Sequence, residues 1–129
     1  MAAVKIDQYW DPHIIAELNG QHVRIAKLKG EFVWHIHQDV DELFYVLSGE
    51  LTIEFRDGNV KLAEGEMITI PSGVEHRPVT EQETLVLLFE PADTVNTGNA
   101  QPNELTRSQL KKTRLKSIVN RPDKISSWS

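Results

Sequence analysis

Over most of His13 to Glu90, apolar and polar residues alternate with a period of two, the rhythm of half-buried β-strands, with almost no helical pattern. LTIEFR is the cleanest case: Leu51, Ile53 and Phe55 face one way and Thr52, Glu54 and Arg56 the other. Turn residues interrupt the pattern at short intervals. Asn19-Gly20 separates HIIAEL from QHVRIAKL, and a two-residue hairpin turn wants positive φ at both positions. Ser48-Gly49-Glu50, Asp57-Gly58-Asn59, Glu64-Gly65 and Pro71-Ser72-Gly73 follow at similar spacing. Many short strands joined by tight turns predict an all-β barrel or sandwich. After Phe89, PADTVNTGNAQPN is rich in turn formers and predicts a loop or an ordered strap over the barrel. Thr106 and Gln109 then fit a capping box, and Leu110, Leu115, Ile118 and Val119 make an apolar stripe that Pro122 ends, so a short helical C-terminal tail is expected. The expected organisation is one barrel with its N-terminal strands and strap, residues 1–105, followed by a tail, 106–129.

Composition narrows the chemistry. A chain of 129 residues, 40% hydrophobic and 26% charged, suits one soluble domain that buries enough surface to fold without a structural metal, so any metal is expected to be functional. With no cysteine, disulfides, thiolate nucleophiles and Cys-based zinc or iron–sulfur sites are excluded, and His and carboxylates remain as strong ligands. MAAVKIDQYW lacks the apolar core of a signal peptide, and the run Leu85–Phe89 is too short to span a bilayer, so a cytoplasmic protein without membrane contact is expected.

The formal charge of −5 is unevenly spread: residues 1–103 carry −10 and residues 104–129 carry +5. The basic tail could neutralise phosphates, but the acidic body and the lack of a recognisable nucleic-acid motif argue against such a partner.

Three of the five histidines share one pattern. Gly30 is followed after four residues by His35-Ile36-His37, after four more by Glu42, and after six by Gly49; downstream, Gly65 leads to Pro71-Ser72-Gly73 and His76. Positions two apart in a strand share a face, so His35 and His37 project together. Glu42 falls on the neighbouring strand if Gln38–Asp41 form the connection, and His76 can close the site from a third strand. Three neutral imidazoles and one carboxylate suit a divalent transition metal such as Zn, Fe, Mn or Ni. The net charge near +1 favours an anionic oxygen ligand, and a six-coordinate ion would leave two positions for water or a bidentate substrate.

These residues resemble the two signature motifs of the cupin superfamily, small jelly-roll or double-stranded β-helix barrels. The resemblance covers about residues 20–92, with fifteen residues, Glu50–Glu64, between the motifs. It departs from the usual pattern in having four residues rather than five before His35, and Thr80 where Asn is usual. EPADTVNTGN further resembles a branch of small single-domain cupins without an assigned activity. By that resemblance the metal ligands are His35, His37, Glu42 and His76. The implied function is action on a small anionic or polyhydroxylated metabolite by isomerase, lyase or oxygenase chemistry, with a non-catalytic metal-dependent or sugar-type binding protein as the alternative. The residues alone do not decide whether there is turnover.

Strand parity makes further assignments. If His35, His37 and Glu42 point inward, Phe44 and Val46 do too and line the pocket. Phe32, Trp34, Ile36, Leu43, Tyr45 and Leu47 would then point outward as an apolar face, which predicts a homodimer. Asp39 and Asp41 read as turn residues, Glu75 and Arg77 as surface groups facing away from the metal, and His13 and His22 as ordinary surface or partly buried histidines.

Overall fold

A computed structural model describes residues 6–113. Eight strands follow in order: β1 His13–Leu18, β2 Gln21–Glu31, β3 Glu42–Ser48, β4 Leu51–Phe55, β5 Gly58–Leu62, β6 Met67–Ile70, β7 His76–Pro91 and β8 Lys111–Lys112. The fold is all-β, and among the described residues no helix is long and apolar enough to cross a membrane.

β7 is the spine. Its first half pairs antiparallel with β4, Thr52 to Phe55 lying opposite Val79 to His76, and its second half lies between β2 and β3, with Val86 opposite both Ala26 and Val46. β3 also pairs with β6, and β1 extends the sheet beyond β2. The β1–β2 hairpin closes as its sequence predicts: Leu18 pairs with Gln21 across Asn19 at φ 51° and Gly20 at φ 74°.

The period-two pattern becomes a core. Ala26 and Leu28 of β2, Phe44 and Val46 of β3, Leu51 and Ile53 of β4, and Val86 and Leu88 of β7 turn their side chains into one buried cluster. Phe32 joins this core, contrary to its expected outward position. Parity fails there because β2 ends at Glu31, so counting by twos from His35 no longer applies; Phe32 instead stacks on Trp10 with ring centroids 4.8 Å apart. The rest of the expected outward face is half-buried. Trp34 lies beneath the Arg56 and Arg77 guanidinium groups, while Leu43 and Tyr45 join Met67, Leu87 and Phe89 around an open apolar groove.

The strap is ordered, but no helix starts at Thr106. The Thr106 hydroxyl is engaged by the Asn103 amide and the Thr97 hydroxyl instead of capping a helix, and Arg107 reaches across to Asp11. Lys111–Lys112 then pair parallel with β1, and Thr113 meets the buried His13 ring at 2.7 Å. Tertiary contacts thus override the local helical signal in this segment. The remainder of the expected helix, from residue 114, lies outside the described residues.

One glycine is required by its surroundings. Gly49 sits at φ 93°, and a Cβ there would come within 2.6 Å of the Thr84 hydroxyl oxygen and 3.0 Å of the Glu83 carbonyl. Gly49→Ala is expected to lower the free energy of unfolding by about 2 kcal/mol, measured as a shift of the urea midpoint at constant slope.

Candidate metal centre

Residues 32–41 leave the sheet and return, and the backbone of the ligand segment is held by single contacts rather than by a continuous ladder. His35 and His76 form an isolated antiparallel bridge, exchanging backbone hydrogen bonds of 3.0 and 3.1 Å. The Gly73 amide donates to the His37 carbonyl at 2.9 Å, which ties the Pro71-Ser72-Gly73 turn to the other end of the motif. Asp41 accepts from the Ser72 amide at 2.9 Å, so this acidic residue fastens the same turn.

The side chains converge. His35, His37, Glu42 and His76 are all buried, and one ligand atom from each lies within 4.8 Å of the others. His35 Nδ1 donates to the Val33 carbonyl at 2.8 Å and His76 Nδ1 to the Val74 carbonyl at 2.9 Å. Each bond places the ring proton on Nδ1 and leaves the Nε2 lone pair aimed inward. Glu42 Oε2 and Oε1 stand 3.4 Å from His37 Nε2 and His76 Nε2, and His37 Nε2, His76 Nε2 and Glu42 Oε1 have no hydrogen-bond partner among the described residues. Orphaned buried acceptors normally cost about 1–3 kcal/mol each, so a cluster of them calls for an occupant. Ligands bound at about 2.1 Å to one ion stand about 3–4 Å from each other, close to the spacings seen. The donor set fits a borderline divalent cation.

Electrostatics favour the same occupant. Burial, reinforced by the neighbouring His76, pushes His35 down to about 4, so the ring stays neutral and available as a ligand. Burial opposes ionisation of Glu42, but the neighbouring Glu90 carboxyl and the His37 and His76 rings outweigh it and hold the carboxyl well below its usual range.

Glu90 is the residue that motif spacing missed. It follows Thr84, Val86 and Leu88 on the inward parity of β7 and is 1% exposed. Arg24, equally buried, donates to Glu90 Oε1 at 2.6 Å and also contacts His22 and the carbonyls of Ala92 and Thr94. Glu90 Oε2 has no partner among the described residues, and burial together with the Glu42 charge pushes this carboxyl well above its usual range. An acid on the inward parity of LVLLFE was the available signal. His22, read as surface or partly buried, is buried against Arg24.

A cavity beside the ligands is walled by Trp10, Phe32, Phe44 and Leu88, with His35, Glu42, Glu90 and Asn96 as its polar members. It holds about 30 Å³ of room for the centres of water-sized molecules. Phe44 is among its walls, whereas Val46 is wholly buried in the core and is not. Glu75 and Arg77 face away, Glu75 pairing with Arg56 and Arg77 with Glu31 and Glu54.

Comparison with known proteins agrees with this geometry. The family model for the Cupin domain (Cupin_2) matches residues 21–90. The chain belongs to the cupin family. A solved cupin-2 domain protein from Shewanella frigidimarina is 48% identical, with a TM-score of 0.66, over 67% of this cupin and 84% of that chain. The uncharacterized protein YdbB of Bacillus subtilis is 43% identical over 77 residues, 59% of this chain and 68% of the relative. Acireductone dioxygenase 4 of Oryza sativa is 34% identical over 68 residues, 49% of this cupin, which spans 36% of the dioxygenase's length.

The low His35 value sets a pH dependence. Without metal, an unfolded His35 takes up its proton near 6.5 and the folded ring only near 4, so its contribution to stability is lost as pH falls between these values. The loss reaches about 3 kcal/mol in the chelated protein. Glu90, raised in the fold, acts with the opposite sign as pH rises. The His35 share is therefore read as the difference between wild type and His35→Gln in urea unfolding at pH 7 and pH 4.5, with the variant showing the shallower acid loss.

Proposed function

We propose that this cupin binds one divalent transition ion through His35, His37, Glu42 and His76 and uses it to act on a small molecule. The observation that carries the proposal is the inward set of buried nitrogen and oxygen acceptors without donors. When bound, such an ion supplies Lewis acidity and, if it is Fe, Mn or Ni, a site for dioxygen.

Among oxygenase, isomerase and lyase chemistries, the named dioxygenase relative favours the first. Glu90 favours turnover over simple binding, because acid–base work on a ligand needs a carboxyl that the ion does not occupy. Its place beside Glu42 and within the cavity wall supplies one. The cavity's aromatic and aliphatic walls favour a compact molecule that presents oxygen atoms to the ion and apolar surface to Trp10, Phe32 and Phe44. A large polyol would find few partners there. Two copies pair through the apolar groove of Leu43, Tyr45, Met67, Leu87 and Phe89, a surface whose exposure fits a covered face.

Elemental analysis of the purified protein is expected to find about one metal per chain, and His37→Ala or His76→Ala to abolish its uptake. Full occupancy in both variants would end the ligand assignment. Oxygen uptake by the Fe-loaded protein with small enediols and hydroxy-acids separates the oxygenase from a non-catalytic binder, which would bind such compounds without consuming oxygen. In sedimentation, a dimer at micromolar concentration that Phe89→Asp converts to monomer is the expected result; a wild-type monomer would remove the pairing proposal.

A further inference from the structure

The strap after β7 lies outside the matched family segment, yet it is bound to the ligand motif itself. Ile36 stands between His35 and His37, and its backbone belongs to no strand. The Ile36 amide donates to the Asn99 side-chain oxygen at 2.7 Å, and the Asn99 amide donates to the Ile36 carbonyl at 3.0 Å. His35 is fixed by His76 and the His37 carbonyl by Gly73, so Asn99 supplies the contact for the residue between the two ligands. Gly98 makes this approach possible. At φ 53°, a Cβ on it would run into the Ile36 carbonyl oxygen and come within 3.1 Å of the His35 ring.

The strap is itself anchored. Thr97 is 1% exposed and bonds to Thr106, the Asn96 side chain holds the Leu105 carbonyl and the Arg107 amide, and Arg24 holds the Ala92 and Thr94 carbonyls. Since Arg24 also holds Glu90, the strap is connected both to the His35-Ile36-His37 segment and to the surroundings of Glu42.

We propose that Asn99, admitted by Gly98, is a positioning residue of the metal centre, holding both backbone groups of Ile36 so that the His35 and His37 rings diverge at the angle the ion requires. The inference rests on the metal reading of the preceding section. Removing groups that orient first-coordination ligands characteristically weakens metal affinity about 10- to 100-fold. The energetic reason is that an Ile36 amide without its side-chain acceptor lets the two imidazoles sample arrangements that do not share one ion.

The test is Co²⁺ titration followed by visible absorption, paired with urea unfolding of the metal-free proteins. Asn99→Ala is expected to weaken Co²⁺ binding about tenfold or more and to alter the absorption bands, which report ligand geometry. Asn99→Asp keeps an oxygen acceptor for the Ile36 amide and should restore wild-type binding. Thr106→Val is the control: it loosens the strap at Thr97 and Asn103 without touching Ile36 and should bind Co²⁺ as wild type does. Wild-type affinity and spectrum in Asn99→Ala, or an equal loss of affinity in Thr106→Val, would overturn the proposal. If wild type takes up no Co²⁺, the metal reading fails first and the positioning role fails with it.

Discussion

The backbone bridge between His35 and His76 is the constraint on which the site depends. It is the point where the chain from β2, having left the sheet after Glu31, is fastened to the start of β7. Residues opposite each other in an antiparallel pair stand about 4.5–5.5 Å apart, so pairing two ligand residues brings their rings together before any ion is present. The observed ring centroids are 4.4 Å apart. Glu42, at the first position of β3, meets the same point from a strand paired with the second half of β7, its carboxylate oxygens 3.4 Å from the His37 and His76 rings. One long strand therefore supplies His76 and aligns the strand that carries Glu42.

That convergence has an electrostatic cost that the surroundings only partly offset. Glu42, Glu90 and Arg24 are all buried with three imidazoles. Arg24 neutralises one carboxylate at most, and its 2.6 Å bond goes to Glu90. Buried charges without partners are strongly unfavourable, and a group can relieve the strain by shifting its proton. The opposite displacements of Glu42 and Glu90 are this relief: two adjacent carboxyls cannot both ionise cheaply, so one is held low and the other high. A divalent cation among the ligands would supply the missing positive charge directly. The same groups that make the metal-free site costly thus make a cation fit it.

Much of this was legible in the sequence because turns and strand parity are local. Asn19-Gly20 needs only its own backbone preferences, and Val46, Leu51, Ile53 and Val86 are buried as the period of two requires. Phe32 departs from its expected face because parity holds only within a continuous strand, and the chain between Glu31 and Glu42 is not one. The helix start expected at Thr106 is absent for a related reason: a capping hydroxyl is a local signal, whereas the Thr97 and Asn103 contacts that occupy it come from tertiary structure and the strap's own turn. Glu90 could have been found by parity. Asn99 could not, since a strap has no periodicity to say which of its residues will meet Ile36.

The division of the site between the family segment and the segments on either side of it bears on how far chemistry can be read from relatives. His35, His37, Glu42, His76 and Glu90 all lie within residues 21–90, the segment that matches the Cupin domain. Trp10, Pro12 and Asn96, which help close the cavity, lie outside it. Room for only a few water-sized molecules remains between these two groups, so any small molecule held there must displace or fit against residues that the family segment does not contain. The four clustered side chains all belong to the shared cupin segment, Glu42 and His76 at strand starts and His35 and His37 in the connection between β2 and β3. The shape of the cavity beside them depends also on the segments before and after that segment, as is usual when one fold carries many activities. A relative that aligns only through that segment can therefore share the four clustered side chains while enclosing a cavity of different shape.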